Sequence, residues 1–435
     1  MEWQVVGGGI LALLVIFIGL GLPIPFALAA ASLPFLWTIQ DFSTSLMSAE
    51  LMLWRVWVDY ILLAVPLFVF LGELVGRSRI GPRLYHMMHQ GTPMTGSAAY
   101  GSVGACAGFG AICGSSMIGA LTIGSVALPE MLRLGYGKRI ASGVIAAGGT
   151  LSVLIPPSLI LLFYGIVTEV SIGQLFIAGV IPGLMLTGFF VIVILGWRVL
   201  RPNDIPESDR GGKWLIKDSL LALAPVVVIA FVIIASIYFG IATPTEAAAV
   251  AVVVTIILAA TVGKLPFQGF VDALRSTLRT MGFLGLLLSA ALLMGFVLNY
   301  HRVPQQFTEA FIALELSPYL VLLMVIAFYL IVGMFLEPAS MIFITLPTLF
   351  PIVSAAGYDL VWFGIIFTIT MEIAVLTPPV GLNLYVLQGL APRDNPVPIT
   401  DVIIGCLPFI VALVGLIILL LAFPQIALWL PEATR

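Results

Sequence analysis

The sequence predicts an all-α polytopic membrane protein made of two inverted-topology repeats, with about ten transmembrane helices and two re-entrant helical hairpins. Three observations predict it. The 435 residues are 61% hydrophobic and only 9% charged, against about 25% charged in a soluble domain. Two apolar regions, 92–132 and 317–356, are interrupted by Gly, Ser and Pro and flanked by loops that fix their topology. A run of matched residues then recurs at a constant offset of 222 positions, as Pro351 against Pro129.

Hydropathy places spans near 4–20, 22–38, 58–76, 140–168, 172–197, 218–240, 242–262, 279–300, 360–390 and 401–431. The first two are short for the roughly 20 residues a span needs, so 4–38 reads as one broken helix or two short ones. The opening "MEWQVVGGGILALLVIFIGL" has no basic stretch, so it reads as a retained span rather than a cleaved signal peptide. The amphipathic stretches 41–57 and 264–279 read as interfacial helices at corresponding places in the two halves.

Lys and Arg gather on the cytoplasmic side of a membrane protein. Arg77, Arg79 and Arg83 precede the first interrupted region, and Arg133, Lys138 and Arg139 follow it. Keeping both flanks inside requires that 92–132 enter and leave from the same side. Two spans later the chain reaches a third basic loop, with Arg198, Arg201, Arg210, Lys213 and Lys217. The same walk has 317–356 enter and leave from the outside.

The repeat aligns Gly135 with Gly357, Tyr136 with Tyr358, and Pro156-Pro157 with Pro378-Pro379. After a four-residue insertion, Gly179 matches Gly405 and Pro182 matches Pro408. Chance among apolar strings accounts for single matches; a shared offset flanked by two hairpins points to duplication. The halves, 1–217 and 218–435, each hold an odd number of spans and so lie upside down to each other. Interrupted helices in inverted repeats mark a secondary transporter whose site lies between the repeats.

The interruptions suggest the chemistry. A hairpin tip in the middle of a bilayer frees carbonyls, hydroxyls and helix termini that must find partners. "CGSS" at 113–116 faces "GGTLSVLIPPS" at 148–158, and "LEPAS" at 336–340 faces "VLTPPVGLN" at 375–383. Oxygen donors of this kind suit a hard cation such as Na⁺. One Na⁺ site per half is expected: Gly114, Ser115, Ser116, Gly149, Thr150 and Pro156 in the first, with Glu337, Pro338, Ser340, Glu372, Thr377 and Pro378 in the second. Plain helix packing through the GxxxG string 110–114, and a simple kink at each Pro-Pro, are the competing readings.

Among the acids within apolar runs (Asp59, Glu73, Glu130, Glu169, Glu246, Glu337, Glu372), Glu337 and Glu372 lie at the second tip and its facing span, where each would ligate Na⁺ or carry a proton. "TPTEAAA" at 243–249 reads as a helix start, with Thr243 as cap, Pro244 at the first position and Glu246 closing a capping box. His86, His89 and His301 form no metal site by spacing. Cys106, Cys113 and Cys406 read as buried residues rather than a disulfide framework. No phosphate-binding GxxxxGK[ST], no HExxH and no nucleophile elbow occurs, so no enzyme and no ATP drive is expected. The net charge of −3 gives no surface for nucleic acid.

With these strings in view, the chain resembles the large membrane subunit of tripartite ATP-independent periplasmic (TRAP) transporters over essentially its whole length. "GFGAICGSSMIGALTIGSVALPEMLRLGY", "GGTLSVLIPPSLILLFYG", "TPTEAAA" and "TPPVGLNLYVLQG" carry the resemblance. It implies Na⁺-coupled, elevator-type uptake of an organic acid, usually a carboxylate, with no cofactor beyond the coupling ion. It also implies the bacterial inner membrane as location. Two partners follow: a small four-helix membrane subunit and a periplasmic substrate-binding protein. Cys113 stands where the family often has Ser, Ser152 where Gly is common, and Glu337 where Asp is common; Cys113, Ser152, Ala339 and Asn383 are expected to face the substrate. A proton-coupled antiporter or exporter of the same plan, or a channel, are the alternatives.

Overall fold

The computed structural model describes residues 2–39, 41–209, 211–212 and 216–433, with the side chains of 216–221 outside the description. Arg210 and Lys213 of the third basic loop, and the Lys217 side chain, therefore lie outside it. The described residues form twenty α-helices and two short 3-10 turns, with no strand among them.

The first half runs α1 (Trp3–Gly19), α2 (Ile24–Leu36), α3 (Phe42–Trp57), α4 (Ala64–Arg77) and α5 (Ile80–Gly91). The hairpin α6 (Ser97–Cys113) and α7 (Ser116–Arg133) follows, then the broken pair α8 (Lys138–Leu154) and α9 (Leu159–Thr168), then α10 (Ile172–Leu200). The second half repeats the order. It runs α11 (Ile216–Tyr238), α12 (Pro244–Thr261), α13 (Phe267–Tyr300) and α14 (Val303–Ile312), then the hairpin α15 (Pro318–Gly333) and α16 (Pro338–Ala355). The broken pair α17 (Leu360–Val375) and α18 (Leu382–Leu390), α19 (Ile399–Ala422) and α20 (Gln425–Ala433) complete it. Six helical segments are long and apolar enough to cross a membrane, and α8 with α9, bent by 40°, make a seventh.

Both halves end their hairpins in the same way. Gly135 and Gly357 take positive φ, at 93° and 84°. The N–H of Tyr136 returns to Met131 O and that of Tyr358 to Val353 O. Glycine past the last turn lets the chain fold back and satisfy orphan carbonyls, which is why the matched Gly-Tyr pairs survive in both copies.

Residues 4–38 are two helices, separated by a turn in which Gly21 has φ 84°. The stretch 264–279 is not a separate helix: from Phe267 on it opens the 34-residue α13, which runs to Tyr300 without interruption. Its counterpart is split because Asp59 accepts the Ile61 N–H and starts a new turn between α3 and α4. The stretch 401–431 is likewise two helices, α19 and α20, parted at Phe423-Pro424, where proline cannot supply the next N–H. Thr243 and Glu246 form the expected capping box, and all three cysteines are buried and free.

Loops assigned to one face do bond to one another. Arg79 N donates to Gly263 O, Lys138 Nζ to Pro396 O at 2.7 Å, and Arg139 pairs with Asp401 at 2.9 Å. On the opposite face Tyr300 donates to Ile39 O and Thr38 meets His301. Between them, α8 and α19 approach so closely at Gly143 and Gly405 that a Cβ on either would strike the other's helix.

Asp209 ties the loop between the halves to the root of the first hairpin. It is buried and accepts from His89 Nε2 and Ser97 Oγ at 2.9 Å, from the Ala98 N–H, and from the Tyr136 hydroxyl. Burial alone would raise its carboxyl; the hydrogen bonds from His89, Tyr136, Ala98 and Ser97 outweigh that and bring it down to about 2.

Candidate transport site between the repeats

The first tip is made by backbone. Gly114 ends α6 in the left-handed region (φ 65°), and Ser115 is extended before α7 starts at Ser116. The Leu159 N–H, just past Pro156-Pro157, donates to Gly114 O at 3.1 Å. A Cβ on Gly114 would sit 2.6 Å from Pro157 O, so only glycine lets tip and break touch. The second half repeats the bond: the Val380 N–H, just past Pro378-Pro379, donates to Met334 O at 3.1 Å. Both Pro-Pro bonds are cis.

The helices beyond the tips also cross to the opposite repeat, which the sequence did not suggest. α7 packs on α18 and, equivalently, α16 packs on α9. Phe163 of α9 meets Phe343 of α16 at 5.3 Å between ring centres, and the Tyr164 hydroxyl donates to Leu360 O at 2.7 Å. On the other diagonal, Asn383 at the start of α18 donates its side-chain amide to Ser116 Oγ at 2.6 Å, and more weakly to Ala146 O at 3.4 Å. Glu372, 1% exposed on α17, lies beside the same Ser116 hydroxyl, and its Oε2 has no hydrogen-bond partner.

Ser116, Asn383 and Glu372 are thus gathered from three segments and both repeats. Gly149 lies close to Ser116 O, and Ser152 presents a buried hydroxyl without a partner where α8 meets Gly119. Thr150 is turned back within α8, donating to Ala147 O, and Thr377, just past α17, donates to Ile373 O, so their oxygens keep only acceptor capacity.

Other candidates have local partners of their own. Glu337 caps α16, accepting from the N–H groups of Ala339 and Ser340 and from Ser340 Oγ, with Pro338 at the first helical position. Ala339 is buried in that cap. Cys113 packs its sulfur against Gly72 of α4. Pro156 is buried while Pro378 and Pro379 are exposed, so the two breaks differ in access. Helix packing also holds at the GxxxG string, since Gly110 lies against the Ser152 backbone.

Four of the five remaining acids have local partners, and Glu169 ends α9 in the left-handed region. Glu73 pairs with Arg77 and accepts from Ser276, Glu130 pairs with Arg133, and Asp59 and Glu246 are caps. Among the described residues no three His, Cys, Asp or Glu side chains converge, so a site here draws on hydroxyl, amide, carbonyl and single carboxylate oxygens.

A duplicated helical membrane fold with paired hairpins and paired broken helices around a buried polar cluster defines a secondary-transporter architecture. The chain belongs to the family described as "Tripartite ATP-independent periplasmic transporter, DctM component", whose profile matches residues 11–426. It is 33% identical over 437 residues to the C4-dicarboxylate TRAP transporter large permease protein DctM of Vibrio cholerae, covering 94% of each chain. It is 32% identical to the sialic acid TRAP transporter large permease protein SiaM of the same organism, over 95% of each. The ectoine/5-hydroxyectoine large permease UehC of Ruegeria pomeroyi is 32% identical, over 85% of this chain and 86% of that one. In fold, the chain is similar to the YdaH transporter of Alcanivorax borkumensis, with TM-score 0.68 at 12% identity over 93% of this chain and 98% of that one.

Proposed function

We propose that this chain performs Na⁺-coupled uptake of an organic acid, a carboxylate, across the bacterial inner membrane, by an elevator movement of the hairpins and broken helices. In this reading it takes substrate from a periplasmic binding protein and works beside a small four-helix membrane subunit. Family membership supports the class of protein. The observation that carries the mechanism is the junction of Ser116, Asn383 and Glu372. A buried carboxylate oxygen without a partner is costly unless a cation or proton neutralises it, and hydroxyl, amide and carbonyl oxygens beside it suit a hard ion. The relatives named above carry a dicarboxylate, a sialic acid and ectoines in their names, which favours a small carboxylate-bearing solute here.

In the mechanism proposed, Ser116 and the carbonyls at Gly114 and Gly149 hold the ion against Glu372. Asn383 orients the Ser116 hydroxyl and offers its amide to the solute. Because Asn383 and Ser116 come from opposite repeats, ion occupancy at one is felt at the other. The test is uptake by the chain reconstituted with its small subunit and a binding protein, across organic acids, under imposed Na⁺ or H⁺ gradients. Uptake that follows the Na⁺ gradient is expected; a rate indifferent to Na⁺ overturns the reading. Glu372 favours one second reading, a proton-driven exchanger, which that indifference together with a response to the H⁺ gradient would establish.

A further inference from the structure

Among the described residues, the inverted repeat leaves one of two equivalent surfaces uncovered. At the end of α19, the chain continues into the nine-residue α20, which packs along α10 of the opposite repeat and buries Ala427. At the equivalent end of α10, the described chain makes a three-residue turn, Pro202–Asp204, which packs back on α10 itself. The α10–α19 seam at that end stays open as a groove of about 410 Å³. Val193, Gly196 and Leu200 form one wall, and Ile404 and Leu407 the other. Leu200 is 83% exposed and Leu407 51%.

The groove has a charged head. The Arg201 guanidinium stands 5.8 Å from the centre of the Trp197 ring. None of the ion pairs among the described residues involves Arg201. Trp197 is held by its indole N–H, which donates to Asp204 Oδ2 at 3.0 Å, while Asp204 O accepts from the Gly137 N–H. The ring is thereby fixed, and the Asp204 carboxylate is turned to the indole, while Asp401 at the start of α19 pairs with Arg139. An apolar trough ending in a Trp and an unpaired Arg at a helix end has the layout of a membrane interface, tail below and headgroup above.

We propose that this groove seats an acyl chain of an anionic phospholipid whose phosphate lies against Arg201. The lipid takes the place on this face that α20 takes on the other, and it bridges helices of opposite repeats. Gly196 leaves room for the chain, having no atom within 4 Å of where a Cβ would stand.

The test is native mass spectrometry of the purified, delipidated chain, offered phosphatidylglycerol or phosphatidylcholine of equal chain length. Retention of phosphatidylglycerol about fivefold above phosphatidylcholine is expected, the worth of one basic residue at an anionic headgroup. Arg201→Ala should abolish the preference and Arg201→Lys keep it. Leu407→Trp, which fills the trough from an exposed position, should lower retention of both lipids; melting curves check that each variant is folded. Equal retention of the two lipids, or a preference unchanged in Arg201→Ala, overturns the proposal. So does a dimer lost in Leu407→Trp, which would assign the face to a second copy of the chain.

Discussion

The Asn383 amide reaches Ser116 Oγ at 2.6 Å across 267 residues of chain, joining the first repeat's hairpin tip to the second repeat's broken helix. Neither residue has this partner within its own half. The bond therefore reports on the packing of one repeat against the other as much as on the local chemistry.

Its worth can be measured as a coupling. Ser116→Ala and Asn383→Ala should each reduce uptake, and the double variant should lose less than the two losses combined. The expected coupling is about 1 kcal/mol, typical of a single buried hydrogen bond. A double-mutant cycle on uptake rates in reconstituted vesicles reads it. Additive losses would mean the two side chains act separately.

The fold was legible because its signals are repeated. The Gly-Tyr turns and the Pro-Pro breaks each occur twice, so weak local evidence reinforced itself, and the basic loops ordered the faces. Much of the site was less legible. The bond from Asn383 to the opposite tip could not be read, because sequence spacing shows which segments break but not where a neighbouring repeat lies. Glu337 stands at a tip and also caps α16, a local bond that its position just before a helix start makes available. Asp209 was missed altogether: its four donors lie between 73 and 120 residues away in the sequence, and the loop around it has no periodic pattern.

The tip geometry distinguishes two kinds of glycine. Gly114 has φ 65° and would also place a Cβ 2.6 Å from Pro157 O, whereas Gly135 has φ 93° and open space around it. Asparagine tolerates the left-handed region better than alanine. Gly135→Asn should then cost little, while Gly114→Asn and Gly114→Ala should both lower stability by about 1–3 kcal/mol. Thermal melting of the purified chain decides it; equal melting points for Gly114→Asn and Gly135→Asn would remove the contact between tip and break.

Asp209 predicts a stability that depends on acid. Its carboxyl is brought from the ordinary 3.8 to about 2 by its four donors. A depressed folded-state value stabilises above the unfolded value and is lost as pH falls through the folded one. The contribution is thus complete above about pH 4 and fades toward pH 2. Asp209→Asn should lower the melting temperature at neutral pH and flatten its fall between those limits. A variant that melts like the wild type at neutral pH would show that the loop does not secure the hairpin root.

Glu372 allows binding and folding to be separated. Its carboxyl is 1% exposed, one oxygen has no partner, and its neighbour is the Ser116 hydroxyl. Glu372→Gln keeps the shape and removes the ionisable group. If the carboxylate serves the coupling ion, uptake should fall at least about tenfold, a loss of roughly 1.4 kcal/mol or more in transition-state stabilisation. The Na⁺ concentration for half-maximal uptake should rise as well. Stability should be unchanged or higher, because replacing an unpaired buried acid with a neutral amide relieves a desolvation cost. Uptake at each Na⁺ concentration and melting in detergent are measured on the same preparation. Lost uptake with lost stability would make Glu372 a structural residue, and unchanged Na⁺ dependence would move the ion elsewhere between the repeats.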